Sequence, residues 1–223
     1  VCFLMDRFGY MKLIDKNAYE RNKEAVHNEN KYVFNCMNTD KICIFTDTGK
    51  MHTIKAVDIP LGRFRDKGTP VDNLSNYDSS QERMLYVAPV GQLRSDRLLF
   101  VTKTSMCKLV EGAEFDVAKR TIASTKLADE DELIFIGSAS EMEQIVLQSH
   151  GGCFLRFLTQ EVSTMKKTAL GVRGMKLADD DYLEHAYLLA GHQEYTISYH
   201  DKEYALNKVR LAKRDTKGIK PRI

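Results

Sequence analysis

The residues of this chain best suited to chemistry are paired cations. Arg21 with Lys23, Arg63 with Arg65, Lys119 with Arg120, Lys166 with Lys167, and Lys213 with Arg214 recur along its 223 residues. Each pair follows a turn by roughly 12–16 residues, the turns falling at Gly9, Gly49, Ser105, Gly152 and Asp201. A row of Lys and Arg suits a polyanion. Each phosphate that it neutralises releases condensed counterions, so binding is driven by salt release and carries little base information. The first tier of expected contacts is Arg63, Arg65, Lys119, Arg120, Lys166, Lys167, Arg173, Lys213 and Arg214. The second tier is Lys12, Arg21, Lys23, Lys108, Arg156, Lys217 and Lys220. A single pair of cations more often only solvates a loop, and Arg173 could instead bridge to a neighbouring repeat. Five pairs in register weigh against solvation as the common cause.

The net charge of +2 hides a strong segregation. Residues 207–222 are net +6, 163–176 net +4, 117–127 net +3 and 61–68 net +2, which leaves the rest of the chain acidic. The acids gather in Asp129-Glu130-Asp131-Glu132, in Asp179-Asp180-Asp181, and at Glu141 and Glu143. Such a chain presents a positive band without being a positive protein.

Other chemistries find no support. A phosphate loop needs a glycine five residues before Gly49-Lys50, but Ile44 stands there and Met51 follows. Gly137-Ser138-Ala139-Ser140-Glu141 lacks the closing glycine of a nucleophile elbow. His185, His192 and His200 do not have metal-site spacing, and His150-Gly151-Gly152-Cys153 offers two ligands at most, which makes it a turn. The acidic runs recur as turns and so read as solvated loops rather than acid–base pairs. No catalytic residue and no metal site is expected here.

The elements that must position the cations are strands. Five hairpins are predicted: Val1–Met5 with Tyr10–Ile14, Lys41–Thr46 with Met51–Lys55, Arg97–Thr102 with Cys107–Val110, Gln144–Gln148 with Cys153–Phe157, and Glu194–Tyr199 with Tyr204–Leu206. Between them lie small-residue segments such as Gly171–Leu177 and Ala123–Leu127, then acidic turns and a further strand such as Glu132–Ile136. Helical periodicity is almost absent; residues 16–26 have poor apolar spacing for a helix, and 76–84 read as a loop between repeats. A period of 40–56 residues with about four strands per repeat predicts an all-β, propeller-like domain of about five four-stranded blades spanning 1–223.

Hydrophobic content of 43% is enough for a core, and no apolar run nears the ~18 residues of a membrane span. The first residues, Val1–Asp6, lack the features of a signal peptide and read as a strand entered midway, so a fragment of a longer subunit is expected. Five scattered cysteines without a CxxC pair fit a reducing cytoplasm.

Gly171-Val172-Arg173-Gly174-Met175-Lys176-Leu177 resembles the Gly-Val-Arg-Gly-Ile-Lys-Leu signature of the C-terminal domain of bacterial type IIA DNA topoisomerase A subunits. Asp6–Lys12, and Asp47-Thr48-Gly49-Lys50 with the Ile-Lys that follows, resemble the hairpin repeats of the same family. The resemblance covers essentially the whole chain. It implies a β-pinwheel whose rim binds and bends duplex DNA, within an isomerase that passes strands at the expense of ATP. It places the DNA-cleaving tyrosine in a breakage–reunion domain of the same chain. ATP and Mg2+ belong elsewhere in an A2B2 assembly with a topoisomerase B subunit, no cofactor belongs to this domain, and the location is the cytoplasm, at the nucleoid. DNA gyrase carries a Gln-Arg-Arg-Gly-Gly-Lys-Gly box in its first blade. Here the matching stretch, Ala18–Val26, keeps two basic residues and no glycine. That departure resembles the A subunits of topoisomerase IV, or a gyrase A chain without its wrapping box. Two rivals remain: a protein-interaction propeller scaffold, and a propeller enzyme with residues converging on its hub.

Overall fold

A computed structural model describes residues 1–222, which form five antiparallel sheets. The strands in chain order are β1 (Cys2–Met5), β2 (Tyr10–Ile14), β3 (Tyr32–Asn35), β4 (Lys41–Thr46), β5 (Lys50–Lys55), β6 (Thr69–Pro70), β7 (Met84–Pro89), β8 (Arg97–Thr102) and β9 (Met106–Glu111). They continue as β10 (Thr121–Ala123), β11 (Leu133–Ser138), β12 (Gln144–Ser149), β13 (Phe154–Leu158), β14 (Val172–Arg173), β15 (Leu183–Leu189), β16 (Thr196–Tyr199) and β17 (Lys202–Ala205). The sheet orders are β3-β1-β2-β6, β10-β5-β4-β7, β11-β8-β9-β14, β13-β12-β15 and β16-β17. Four strands are thus complete in the first three sheets. The fourth gains a single bridge from Ile219 to Phe154, and the fifth is a hairpin.

All five predicted hairpins are present, and their turn residues share one property. Gly9, Gly49, Ser105, Gly152 and Asp201 have φ of 84°, 77°, 73°, 84° and 59°. The first four turns are three-residue reversals that end on one residue in left-handed backbone, and in the fifth His200 and Asp201 both adopt it, which is why glycine recurs there.

The order of pairing explains the period. After each hairpin the chain crosses back to the sheet before it. β6 follows the β4–β5 hairpin but pairs with β2, β10 follows β8–β9 but pairs with β5, and β14 follows β12–β13 but pairs with β9. Each sheet is therefore closed by chain that has already built the next one. The first hairpin differs. Its following segment makes two short helices, α1 (Lys16–Arg21) and α2 (Lys23–Glu29), before β3 pairs with β1 in the same sheet. Asp15 caps α1 by accepting from the Ala18 amide, and Val26 is buried against Leu4 and Ile14. The weak apolar spacing of 16–26 thus underestimates the helix, which is anchored at a few points. Arg21 and Lys23 lie on these helices and not on a crossing loop, so the first cation pair is out of register with the other four.

Both faces of the middle sheets are covered. Ile42 and Ile44 pack with Phe3, Met11 and Ile59, whereas Cys43 and Phe45 pack with Leu98, Phe100 and Phe115. Leu99 then packs with Leu147 and Phe157. Burial on two faces makes each hairpin strand apolar throughout instead of alternating.

Gly68, Gly171 and Gly218 open three of the crossing strands, with φ of 87°, 104° and 73°. A Cβ at Gly171 would lie 2.6 Å from the Cys107 carbonyl oxygen, and one at Gly68 the same distance from that of Met11. Gly171→Ala is expected to destabilise the chain by roughly 2–4 kcal/mol, through the clash and the left-handed backbone together. Urea unfolding checks this, and a midpoint equal to the parent's would refute the close approach.

Candidate nucleic-acid interface

Each crossing loop starts from a single 3-10 turn and a buried apolar residue: Ile59, Phe115, Val162 or Val209. The chain then bridges in parallel to the sheet behind it, Leu61 with Leu13, Thr164 with Leu109 and Leu211 with Arg156. These bridges fix the register. Arg63, Lys166 and Lys213 are equivalent, two residues beyond each bridge, and Phe64, Lys167 and Arg214 come next. The loop after Phe115 is three residues shorter, so Lys119 and Arg120 immediately precede Thr121, which takes the place of the glycine.

Two loops are held from beneath by a lysine. The Lys12 ammonium donates to the carbonyls of Phe64 and Asp66. The Lys108 ammonium donates to those of Lys166 (3.4 Å), Lys167 (2.8 Å) and Ala169 (2.6 Å) and lies over the Phe100 ring. Both lysines are the third residue after a hairpin turn, and the carbonyls they bind are equivalent positions. Burial, opposed by Glu114, pushes Lys108 down to about 8. Lys108 is 1% exposed. Both ammoniums, expected as contacts, are thus engaged with main-chain carbonyls. They hold the loops on which Arg63 and Lys166 lie.

The second sheet shows the same logic with different parts. His52 stands where Lys12 and Lys108 stand elsewhere, and it bonds Thr121 Oγ1 at 3.0 Å and Glu82 Oε1 at 2.5 Å. Burial would raise the Glu82 carboxyl, but hydrogen bonds from Thr46, Thr48 and His52 outweigh it and hold the group below its ordinary value. The shorter loop brings no carbonyl cage over this position, and the imidazole instead spans the Thr121 hydroxyl and the Glu82 carboxylate.

Two further expected contacts are also engaged internally. Arg156 donates to Gln144 Oε1 and to the carbonyls of Asn207 and Val209. Arg214 donates to the carbonyls of Glu161 and Arg173. Both guanidiniums brace the loop rather than extend from it. Arg173 makes a two-pronged pair with Asp215, the bridge to a neighbouring repeat anticipated for it. The Arg173 hydrogen bond and charge hold the Asp215 carboxyl below its usual range. Arg120 is exposed, but it donates to the Leu74 carbonyl at 3.1 Å.

Among the described residues, Arg63, Arg65, Lys119, Lys166, Lys213, Lys217 and Lys220 are exposed with no side-chain hydrogen bond or ion pair. Arg21 and Lys23 are equally free on their helices, and Lys167 is half-buried with its main chain engaged. Two cations missed in the sequence join them. The Lys126 amide donates to the Lys167 carbonyl at 3.1 Å, and the Lys176 amide donates to that of Thr216 at 2.9 Å. These bonds stitch adjacent crossing loops together and bring Lys126 and Lys176 beside the basic clusters. Their signal was the shared position in Ser124-Thr125-Lys126-Leu127 and Gly174-Met175-Lys176-Leu177.

The acids have another role. Asp131 accepts from Thr104, and Asp181 accepts from the Gly151 amide at 2.8 Å, each tying an acidic turn to a hairpin tip. No group of three or more metal-ligating side chains occurs among the described residues, and no helix there is long and apolar enough to cross a membrane.

Known proteins share this fold. The profile of a family described as DNA gyrase C-terminal domain, beta-propeller matches residues 40–79, 96–140 and 143–190, each match holding one hairpin. The chain is 25% identical over 231 residues to the A subunit of DNA gyrase from Ureaplasma parvum, covering 96% of this chain and 27% of that protein. It is 31% identical over 144 residues to the corresponding DNA gyrase protein of Salmonella typhimurium, covering 64% of this chain and 16% of that one. The chain therefore spans about a quarter or less of these curated relatives. A crystal structure of the C-terminal domain of DNA topoisomerase IV superposes with a TM-score of 0.85 at 22% identity, over 98% of this chain and 71% of that one. A DNA gyrase A C-terminal domain gives 0.64 at 18% identity, over 98% of this chain and 75% of that one. With three repeats matched across more than half its length, the chain belongs to the DNA gyrase C-terminal domain, beta-propeller family.

Proposed function

We propose that this domain holds and curves duplex DNA without reading its sequence, as the C-terminal part of the A subunit in a type IIA topoisomerase. The observation that carries the reading is the equivalence of Arg63, Lys166 and Lys213, one free cation at the same point of three of the four crossing loops. A phosphate backbone laid across those loops meets one such cation per sheet, and Lys119, Lys126, Lys176 and Lys217 add charge between them. Bending costs several kcal/mol, which many modest contacts offset. The domain would serve strand passage by gripping DNA for a breakage–reunion domain in the same chain. The B subunit would supply ATP turnover, with Mg2+ bound outside this domain, in the bacterial cytoplasm. The helical form of Ala18–Val26 supports a grip that steers DNA without strong wrapping, as expected for a protein resembling topoisomerase IV.

Fluorescence anisotropy with random-sequence duplex tests the reading. Affinity should fall steeply with salt, and Lys166→Ala with Lys167→Ala should lower the slope of log K against log salt by about one to two units. An unchanged slope would remove that loop from the interface. Weak salt dependence throughout would favour a protein-docking scaffold instead.

A further inference from the structure

We infer that Leu61 and Leu211 make apolar contacts with the sugar edges of the bound duplex, a salt-independent component of binding that the cations beside them cannot supply. The inference rests on the DNA reading above and adds a different kind of contact to it. Leu61 is 64% exposed and Leu211 45% exposed. Single exposed leucines are ordinary on a protein surface. These two occupy one register position, the parallel bridge that opens the crossing loop, whose third member is Thr164. The bridge holds the chain extended, with the Gly62 amide donating to the Leu13 carbonyl and the Ala212 amide to that of Arg156. In extended chain, residues two apart share a side. Each leucine is therefore set beside the free cation of its loop, Arg63 or Lys213.

The occupant follows from what surrounds the two residues. Arg65 and Lys67 are exposed further along the loop of the first leucine, and Lys217 lies in the loop of the second. An apolar spot inside a field of free cations repels a basic protein surface and suits a ligand that alternates anion with hydrocarbon. The backbone of DNA does so at every nucleotide, because each phosphate is joined to the C–H edge of a deoxyribose. The contact needs no base, so it preserves sequence neutrality.

The test is anisotropy with random-sequence duplex over a range of salt, on the parent chain, on Leu61→Ser with Leu211→Ser, and on Thr164→Leu. Circular dichroism melting confirms that each variant is folded. The double variant should bind about five- to tenfold more weakly at every salt concentration, with an unchanged slope. Thr164→Leu, which gives the third loop the missing side chain, should bind roughly two- to threefold more tightly, again with an unchanged slope. Parent-like affinity in both variants, or a loss that disappears at high salt, overturns the inference and leaves the DNA reading intact. Absence of salt-dependent binding in the parent itself overturns both.

Discussion

Lys108→Ala is expected to lower the stability of the chain by about 3–5 kcal/mol, from an unfilled cavity and from carbonyls left without a donor. The Lys108 side chain is buried, and its ammonium lies over the Phe100 ring and holds the carbonyls of Lys166, Lys167 and Ala169. Truncation removes the packing and the donor together. The unfolding midpoint should fall by roughly 6–20 °C for a chain of this length. Lys108→Met keeps the stem and loses only the donor, so it should recover part of the loss.

The pH dependence carries a definite sign. The folded-state value of Lys108 is lowered from 10.5 to about 8 by burial, against the opposing charge of Glu114. The folded chain gives up this proton before the unfolded chain does. Between those values the unfolded state binds more protons, and stability rises with pH. The advantage of the parent over Lys108→Ala should therefore grow across that window. Urea titrations at its two ends measure the change, and a constant difference would show that Lys108 does not titrate there.

Replacing Arg63, Lys166 and Lys213 by Ala together should reduce the salt slope by about 2.7 and weaken binding several-hundredfold near 0.1 M salt. The parent and variant lines should converge near 1 M, where counterion release no longer favours binding. The effect is large because each of these cations is free: none is committed to a carboxylate or a carbonyl among the described residues. Stability should barely change, because exposed cations contribute little to folding. A triple variant that lost affinity only in proportion to overall charge, as three substitutions at Lys16, Lys31 and Lys55 would, would deny the loops any special position.

The five hairpins and their turns are legible because local chemistry dictates them: Gly9, Gly49 and Gly152 mark left-handed backbone between apolar runs. The crossing strands are not. β6 and β14 are two residues long and pair with strands laid down more than fifty residues earlier, so no local pattern announces them. The free cations Arg63, Lys166 and Lys213 stand out by their spacing. Lys12, Lys108, Arg156 and Arg214 look the same in sequence, and their cages exist only once the loop closes over the sheet. Lys126 and Lys176 escape notice for the converse reason, since only a bond between neighbouring loops brings them to the clusters. The helices around Arg21 and Lys23 depend on Asp15 and Val26, single anchors too sparse to produce a period.

Amide hydrogen exchange on the DNA complex, compared with the free chain at matched salt, tests the central claim most directly. The account predicts added protection in residues 60–68, 117–121, 163–171 and 210–218 together, with the acidic turns at 128–132 and 178–181 unchanged. Protection confined to one of those loops, or centred on the acidic turns, would contradict a continuous track of phosphate contacts.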